Sequence, residues 1–137
     1  MTALDIQTNN LAAAKALYDA FGRGDVQAIL DGCSPNIVWH SGGTREDFPV
    51  FGVRKGLDGV KSFFKDVAEN NQFSKFEPRE FLVSGDKVVV IGFYAMKQAK
   101  TGKALESDWA HIFTFSGGKL VAWRELNDST AFYKAYR

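Results

Sequence analysis

Two histidines, His40 and His111, are the side chains of this 137-residue chain best suited to acid–base chemistry. A histidine in apolar surroundings has a depressed pKa, so it stays neutral near pH 7 and can accept a proton. Such a base also needs a hydrogen-bonding partner that fixes its tautomer. The acidic residues that can supply one are Asp108, Glu125 and Asp128. The alternative is a pair of structural histidines with satisfied hydrogen bonds.

Glu125 is the carboxylate whose neighbours most suggest chemistry. Strand alternation over residues 120–127 places it on the same face as Trp123 and Asn127. A carboxylate beside an indole can have a raised pKa and act as a general base. The other interpretation is a solvated member of an ion pair at the edge of a sheet.

Metal and cofactor chemistry find no support in the spacing of candidate ligands. No two of them show i, i+4 or Cys-x-x-Cys spacing, and the single cysteine, Cys33, has no nearby base. Glycine-rich phosphate loops, the serine-hydrolase elbow and the zinc-protease motif are all absent. We therefore expect neither a metal nor a cofactor.

Three helices are predicted ahead of the strands. In the first, Ala14, Leu17, Tyr18 and Phe21 lie at i, i+3, i+4 and i+7, on one helix face. Asp25 is the expected N-cap of a second helix, from residue 26 to about 32. A third helix is predicted from about residue 57 to 70 by its apolar stripe.

The second half of the chain has the pattern of strands. After a short strand at residues 37–40 and a long loop at 41–56, four segments (73–83, 87–97, 105–115 and 120–127) are separated by turn residues. They predict consecutive hairpins, followed by a short helix at 130–136. Arg45, Glu46 and Asp47 in the long loop either gate a pocket or belong to a plain solvated loop. Helices first and strands later indicate the α+β class.

An aromatic content of 14% fits either a deep core or a ligand cavity. Alternation puts Trp109, His111 and Phe113 on one face of their strand and Asp108 and Ala110 on the other. The residues that we expect to line a pocket are Tyr18, Val38, Trp39, Phe64, Trp109, Phe113 and Trp123.

Charge and hydropathy limit the expected partners. A net charge of +1 without a basic cluster argues against nucleic acid. The N-terminal residues do not resemble a signal peptide, and the longest apolar run, residues 88–96, is too short to span a membrane, so we expect a cytoplasmic protein. That run is apolar at both odd and even positions. A strand with two dry faces predicts a homodimer packed through the sheet.

Several short segments occur in a characteristic order and spacing. They are residues 18–25, residues 38–40, Gly52 and Gly56 ahead of Val60 and Phe63-Phe64, residues 111–115 ahead of 118–120, and residues 124–128 with Ala131. In these segments nearly the whole chain resembles the SnoaL-like, ketosteroid-isomerase-like branch of the nuclear transport factor two superfamily. The resemblance implies one SnoaL-like domain over residues 1–137. Its fold would be a cone in which N-terminal helices pack on a strongly curved, mixed but mostly antiparallel sheet around an apolar pocket (a cystatin-like roll).

The resemblance also implies a site and a range of functions. His40 falls at the position of the isomerase's catalytic base, His111 at that of its protonated aspartic acid, and Glu125 near an acidic residue of the polyketide cyclases. We expect a pocket for a small apolar molecule. If the protein is an enzyme, it would be a cofactor-independent isomerase, cyclase, dehydratase or hydrolase using acid–base catalysis by His40, His111, Glu125 and Asp128. The alternative is a non-catalytic ligand-binding or protein-interaction module.

Overall fold

In a computed structural model that describes residues 2–137, helices and strands follow the predicted order, with one additional strand, β2, inside the predicted long loop. The helices are α1 (Ala3–Gly22), α2 (Val26–Asp31), α3 (Gly56–Asn70) and α4 (Ser129–Tyr136). The strands are β1 (Cys33–Ser41), β2 (Gly52–Lys55), β3 (Asn71–Ser84), β4 (Lys87–Gln98), β5 (Ala104–Ser116) and β6 (Lys119–Asn127). The predicted α+β class is confirmed.

Side-chain caps determine where three of the helices begin. Thr2 and Asp5 form a reciprocal capping box, which starts α1 eleven residues before the apolar stripe that predicted it. The predicted cap of α2 is confirmed, because the Asp25 side chain accepts a hydrogen bond from the backbone N–H of Ala28. Asp128 caps α4 in the same way.

The six strands form one curved, mixed sheet in the order β2-β1-β6-β5-β4-β3. The predicted run of hairpins from β3 to β6 is confirmed, and among the strand pairs formed by residues 2–137 only β1–β6 is parallel. The register of β3 against β4 shifts between Pro78 and Glu80, as expected for a proline that cannot donate to the ladder. This order places β6 in the interior of the sheet.

The segment predicted as a long loop contains β2 and an aromatic anchor. Phe48, Val50 and Phe51 are buried, whereas Arg45 and Asp47 are exposed. The four residues of β2 are too few for an alternation signal; pairing with the edge of β1 gives them their strand conformation. The loop is therefore held to the core by aromatic packing.

The sheet has two distinct faces. The inner face, which carries Trp39, His111 and Trp123, packs against α1 and α3, and these side chains are at most 6% exposed. The outer face, which carries Val38, Ala110 and Leu126, has no helix of residues 2–137 packed on its centre. The predicted sorting of β5 residues between the two faces is confirmed. No helix in this part of the chain has the length and apolar character needed to cross a membrane.

Candidate active site

Three polar side chains form a row across the inner face. Ser41 on β1 is in register with Glu125 on β6, which is in register with His111 on β5. Residues directly opposite each other on neighbouring strands have Cβ atoms about 5 Å apart, so their side chains can touch. Tyr18, on the apolar face of α1, covers His111 from the helix side. The register of the strands and one helix position thus bring the polar groups together.

Hydrogen bonds join three of these residues into a chain. The phenolic oxygen of Tyr18 lies 2.7 Å from Nδ1 of His111, and Nε2 of His111 lies 2.7 Å from Oε1 of Glu125. Because an ionised carboxylate can only accept, the imidazole proton belongs on Nε2. Nδ1 is then an acceptor, and Tyr18 donates its hydroxyl proton to it.

Glu125 is held by donors on both of its oxygens. Besides His111, Tyr94 donates from 3.2 Å and the Asn127 amide from 2.7 Å, both to Oε2. The residue is only 8% exposed, so its charge depends on these donors. The interpretation of Glu125 as a solvated edge residue is wrong, because β6 lies between β1 and β5.

Burial sets the protonation state of His111. It lowers the pKa of the imidazole, and this outweighs the hydrogen bond and charge of Glu125, which raise it. The ring also stacks on the Trp109 indole with centroids 3.8 Å apart. Burial, with a contribution from the charge of Glu125, raises the pKa of Tyr18 well above its ordinary value. The chain of hydrogen bonds therefore rests with a neutral imidazole and an un-ionised phenol.

A cavity between the helices and the inner face contains this chain of hydrogen bonds. Its empty space is about 710 Å³, a volume that includes open solvent at its mouth. Most of the wall is apolar. Its polar lining residues are Tyr18, Ser41, Asn71, Tyr94, His111 and Glu125. The size and character of the space fit a small, largely apolar molecule.

The structure brings His111 and Glu125 together but separates them from His40 and Asp128. His40 lies on the outer face of β1, because its neighbours Trp39 and Ser41 point into the cavity. The Asp128 carboxylate instead accepts hydrogen bonds from the first turn of α4.

Five of the seven expected pocket residues line the cavity, namely Tyr18, Trp39, Phe64, Phe113 and Trp123. Val38 does not, because it shares the outer face with His40 and is 39% exposed. Trp109 is buried on the inner face, but it lies against the His111 ring and contributes no cavity wall.

Sequence reasoning missed Tyr94, Asn127 and Ser41 as site residues. Alternation along β4 puts Tyr94 on the same buried face as Val88 and Val90, and this is the signal that could have identified it. The role of Ser41 depends on the parallel pairing of β1 with β6, a contact far apart in sequence. Within residues 2–137, no group of three His, Cys, Asp or Glu side chains is arranged to hold a metal ion.

Comparisons with known proteins agree with this architecture. An NTF2-like protein from Burkholderia xenovorans superposes with a TM-score of 0.87 at 27% identity, covering 96% of this chain and 98% of that one. TerC, co-crystallized with polyporic acid, gives 0.79 at 28% identity and covers 93% and 97%. An uncharacterized protein of Mycobacterium tuberculosis is 24% identical over 117 residues, 85% of this chain and 87% of its own.

The family model for the SnoaL-like domain matches residues 14–123. This range includes the C-terminal part of α1 with Tyr18 and the strands that carry Ser41 and His111. The match covers most of the chain, and the fold agrees with that of the NTF2-like structures. The chain therefore belongs to the SnoaL-like domain family of the nuclear transport factor two superfamily.

Proposed function

We propose that this protein binds a small, largely apolar, oxygen-bearing molecule in the cavity and moves a proton on it through Tyr18, His111 and Glu125. The observation that carries the proposal is the chain of hydrogen bonds that begins at a cavity-lining phenol and ends at a buried carboxylate. Isomerisation and aldol-type cyclisation are reactions of this kind, because both need a proton removed at one position and returned at another.

The mechanism follows from the resting protonation states. A proton leaves a carbon next to the ligand carbonyl and moves to the Tyr18 oxygen while the phenolic proton moves to Nδ1 of His111. The transfer is concerted, because the raised pKa of Tyr18 makes a free phenolate unfavourable. The imidazolium formed lies 2.7 Å from the Glu125 carboxylate, which offsets its charge. Return of the proton to another atom completes the reaction. General acid–base catalysis of this type contributes about 10²–10⁴-fold.

The relatives support a ligand of this chemistry. TerC was co-crystallized with polyporic acid, an aromatic hydroxyquinone. A compound of this class combines flat apolar rings with acidic oxygens, and the cavity here combines aromatic walls with a phenol and an imidazole. The match in chemical character supports an aromatic or alicyclic ligand with an enol, phenol or ketone oxygen.

Proton transfer can be tested with 2-tetralone, a small bicyclic ketone with acidic C–H bonds. We expect the wild-type protein in D₂O to accelerate deuterium exchange next to the carbonyl, measured by NMR. Tyr18→Phe keeps the ring but removes the proton path, so the acceleration should fall about 10²-fold or more. His40→Phe, a change on the outer face, is the matched control and should leave the exchange rate unchanged.

Each outcome of this experiment favours a different function. Binding of 2-tetralone without exchange, detected by quenching of the cavity tryptophans Trp39 and Trp123, would support a non-catalytic ligand-binding protein. Exchange that persists in Tyr18→Phe would contradict the proposed path. Absence of binding by a panel of apolar ketones and phenols would overturn the ligand role of the cavity.

We also propose that the outer face packs against a second copy of the chain. Its apolar side chains Val38, Ile91 and Leu126 are 38–45% exposed. Arg124 and Asp108 lie on the same face, and neither has an ion-pair partner within residues 2–137. A two-fold axis would place the arginine of each copy near the aspartate of the other, as self-complementary interfaces require.

Replacing Leu126 by Glu should therefore yield a monomer. Leu126 lies beside Ala110 and Ile91 in a row across the centre of the outer face, so a charge there would be buried in the interface. The measurement is size-exclusion chromatography with light scattering. Leu4→Glu, which replaces a leucine that is 71% exposed on α1, should remain a dimer. A wild-type protein that is monomeric would contradict the proposal.

A further inference from the structure

Ser41 is a buried polar residue of the cavity that the proposed proton path does not use. It is 3% exposed and lines the cavity, and its hydroxyl makes no hydrogen bond within residues 2–137. The hydroxyl is therefore a polar group on a mostly apolar cavity wall that no protein group satisfies, although most polar groups inside proteins are hydrogen-bonded. A ligand atom is the partner that such a position suggests.

The neighbours of Ser41 leave its hydroxyl available. Glu125 is adjacent on β6 and accepts from His111, Tyr94 and Asn127, but no hydrogen bond joins its side chain to Ser41. A hydroxyl can both donate and accept, so Ser41 suits a carbonyl as well as a hydroxyl group.

The spacing of the strands gives the size of the ligand. Ser41 and His111 are two strands apart, or about 10 Å between their backbones, with side chains that project into the same cavity. Beside this row, Trp39 and Trp123 stack with centroids 4.1 Å apart and form a flat apolar wall. One or two fused rings on this wall would carry an oxygen towards Tyr18 at one end and another towards Ser41 at the other.

We propose that Ser41 determines specificity by donating a hydrogen bond to a carbonyl oxygen at the end of the ligand opposite Tyr18. This inference rests on the proposed ligand role of the cavity and adds the substrate class: small ring compounds with an acidic hydroxyl or enol at one end and a carbonyl at the other. Ser41 orients such a ligand, and the proton transfer itself belongs to Tyr18 and His111.

Two pairs of shape-matched compounds test the assignment. 4-Hydroxyacetophenone and 4-ethylphenol differ in a single carbonyl oxygen, and 6-acetyl-2-naphthol and 6-ethyl-2-naphthol repeat the comparison on a longer ring system. Calorimetry should show that the wild-type protein prefers the acetyl compound in at least one pair. Ser41→Ala should weaken binding of that acetyl compound about fivefold, the effect of one hydrogen bond, and change binding of its ethyl partner less than twofold.

The controls separate this inference from the proposed function. Ser116→Ala, at the exposed end of β5, should leave all four affinities unchanged. Equal effects of Ser41→Ala on acetyl and ethyl compounds would overturn the role of Ser41 while leaving the ligand role of the cavity intact. Failure of all four compounds to bind the wild-type protein would overturn both. A marked loss of thermal stability in Ser41→Ala would also count against the inference, because a hydroxyl without a protein partner has no hydrogen bond to lose.

Discussion

His111→Phe is expected to lower the free energy of unfolding by about 3 kcal/mol at pH 7. Phenylalanine retains a flat ring that can stack on Trp109, so the change isolates the hydrogen bonds. The buried Glu125 carboxylate loses its 2.7 Å donor, and a bond to a charged group contributes about 1.5–3 kcal/mol. Tyr18 loses its acceptor, which adds about 1 kcal/mol. Urea unfolding followed by circular dichroism measures the total.

The other histidine provides the matched control. His40→Phe makes the same exchange on the outer face, at a half-buried position where no side-chain hydrogen bond joins it to the described residues. Changes at such positions usually remain within about 0.5 kcal/mol. Both variants must be compared at one protein concentration, because dimerisation through the outer face would add to the stability of each. Equal stability of His111→Phe and wild type would show that the buried hydrogen bonds contribute nothing net.

The same variant changes how stability depends on pH. The pKa of His111 is lowered in the folded protein, so below the unfolded value of about 6.5 the unfolded state binds a proton that the native state does not. The contribution of His111 to the free energy of unfolding is therefore fully present above pH ~6.5. It falls with decreasing pH, by up to about 1.4 kcal/mol per pH unit, until the pH reaches the lower pKa of the folded state. We expect the slope below pH ~6.5 to be smaller in His111→Phe than in the wild-type protein. Parallel slopes in the variant and the wild-type protein would contradict a buried neutral His111.

Local sequence patterns predicted most of the fold because local rules determine most of its elements. The stripe on α1, the cap at Asp25 and the turns between β3 and β6 each depend on residues close together in the chain. The strand β2 escaped prediction because its conformation depends on pairing with β1 and on the ion pair, at 2.7 Å, between Arg54 and Asp66 of α3. Contacts of this kind become visible only when the tertiary structure is known.

Site residues were predictable where the alternation of side chains along one strand determines their position. They were missed where the position depends on which residues of two neighbouring strands pair. Alternation along β5 and β6 alone placed His111 among aromatic side chains and Glu125 beside Trp123. On β1, alternation shows that His40 and Trp39 lie on opposite faces of the strand. It does not show which of the two faces is the inner one. The family resemblance assigned a site position to His40, yet its side chain lies on the outer face. One residue of register is enough to move a side chain from one face of a sheet to the other.

Gly92→Ala is the second change for which we expect a large effect, a loss of about 2 kcal/mol in the free energy of unfolding. Gly92 lies opposite Trp109, and a Cβ atom there would overlap both the indole ring and the backbone oxygen of Glu77. Alanine is intrinsically better than glycine in a strand by about 0.5–1 kcal/mol, but overpacking of a buried site costs about 1–3 kcal/mol, so the overlap dominates.

The displacement of Trp109 in Gly92→Ala should extend to His111, which packs flat against that indole with centroids 3.8 Å apart. We therefore expect a changed near-ultraviolet circular dichroism spectrum and a shifted imidazole resonance of His111, together with the loss of stability in urea. Gly22→Ala, at the end of α1 with no atom within 4 Å of the added methyl group, is the control and should be neutral or slightly stabilising. If Gly92→Ala matched this control in stability and spectra, the absence of a side chain at residue 92 would have no part in positioning Trp109. The stacking of Trp109 on the His111 imidazole would then be maintained by contacts other than the close approach of residue 92.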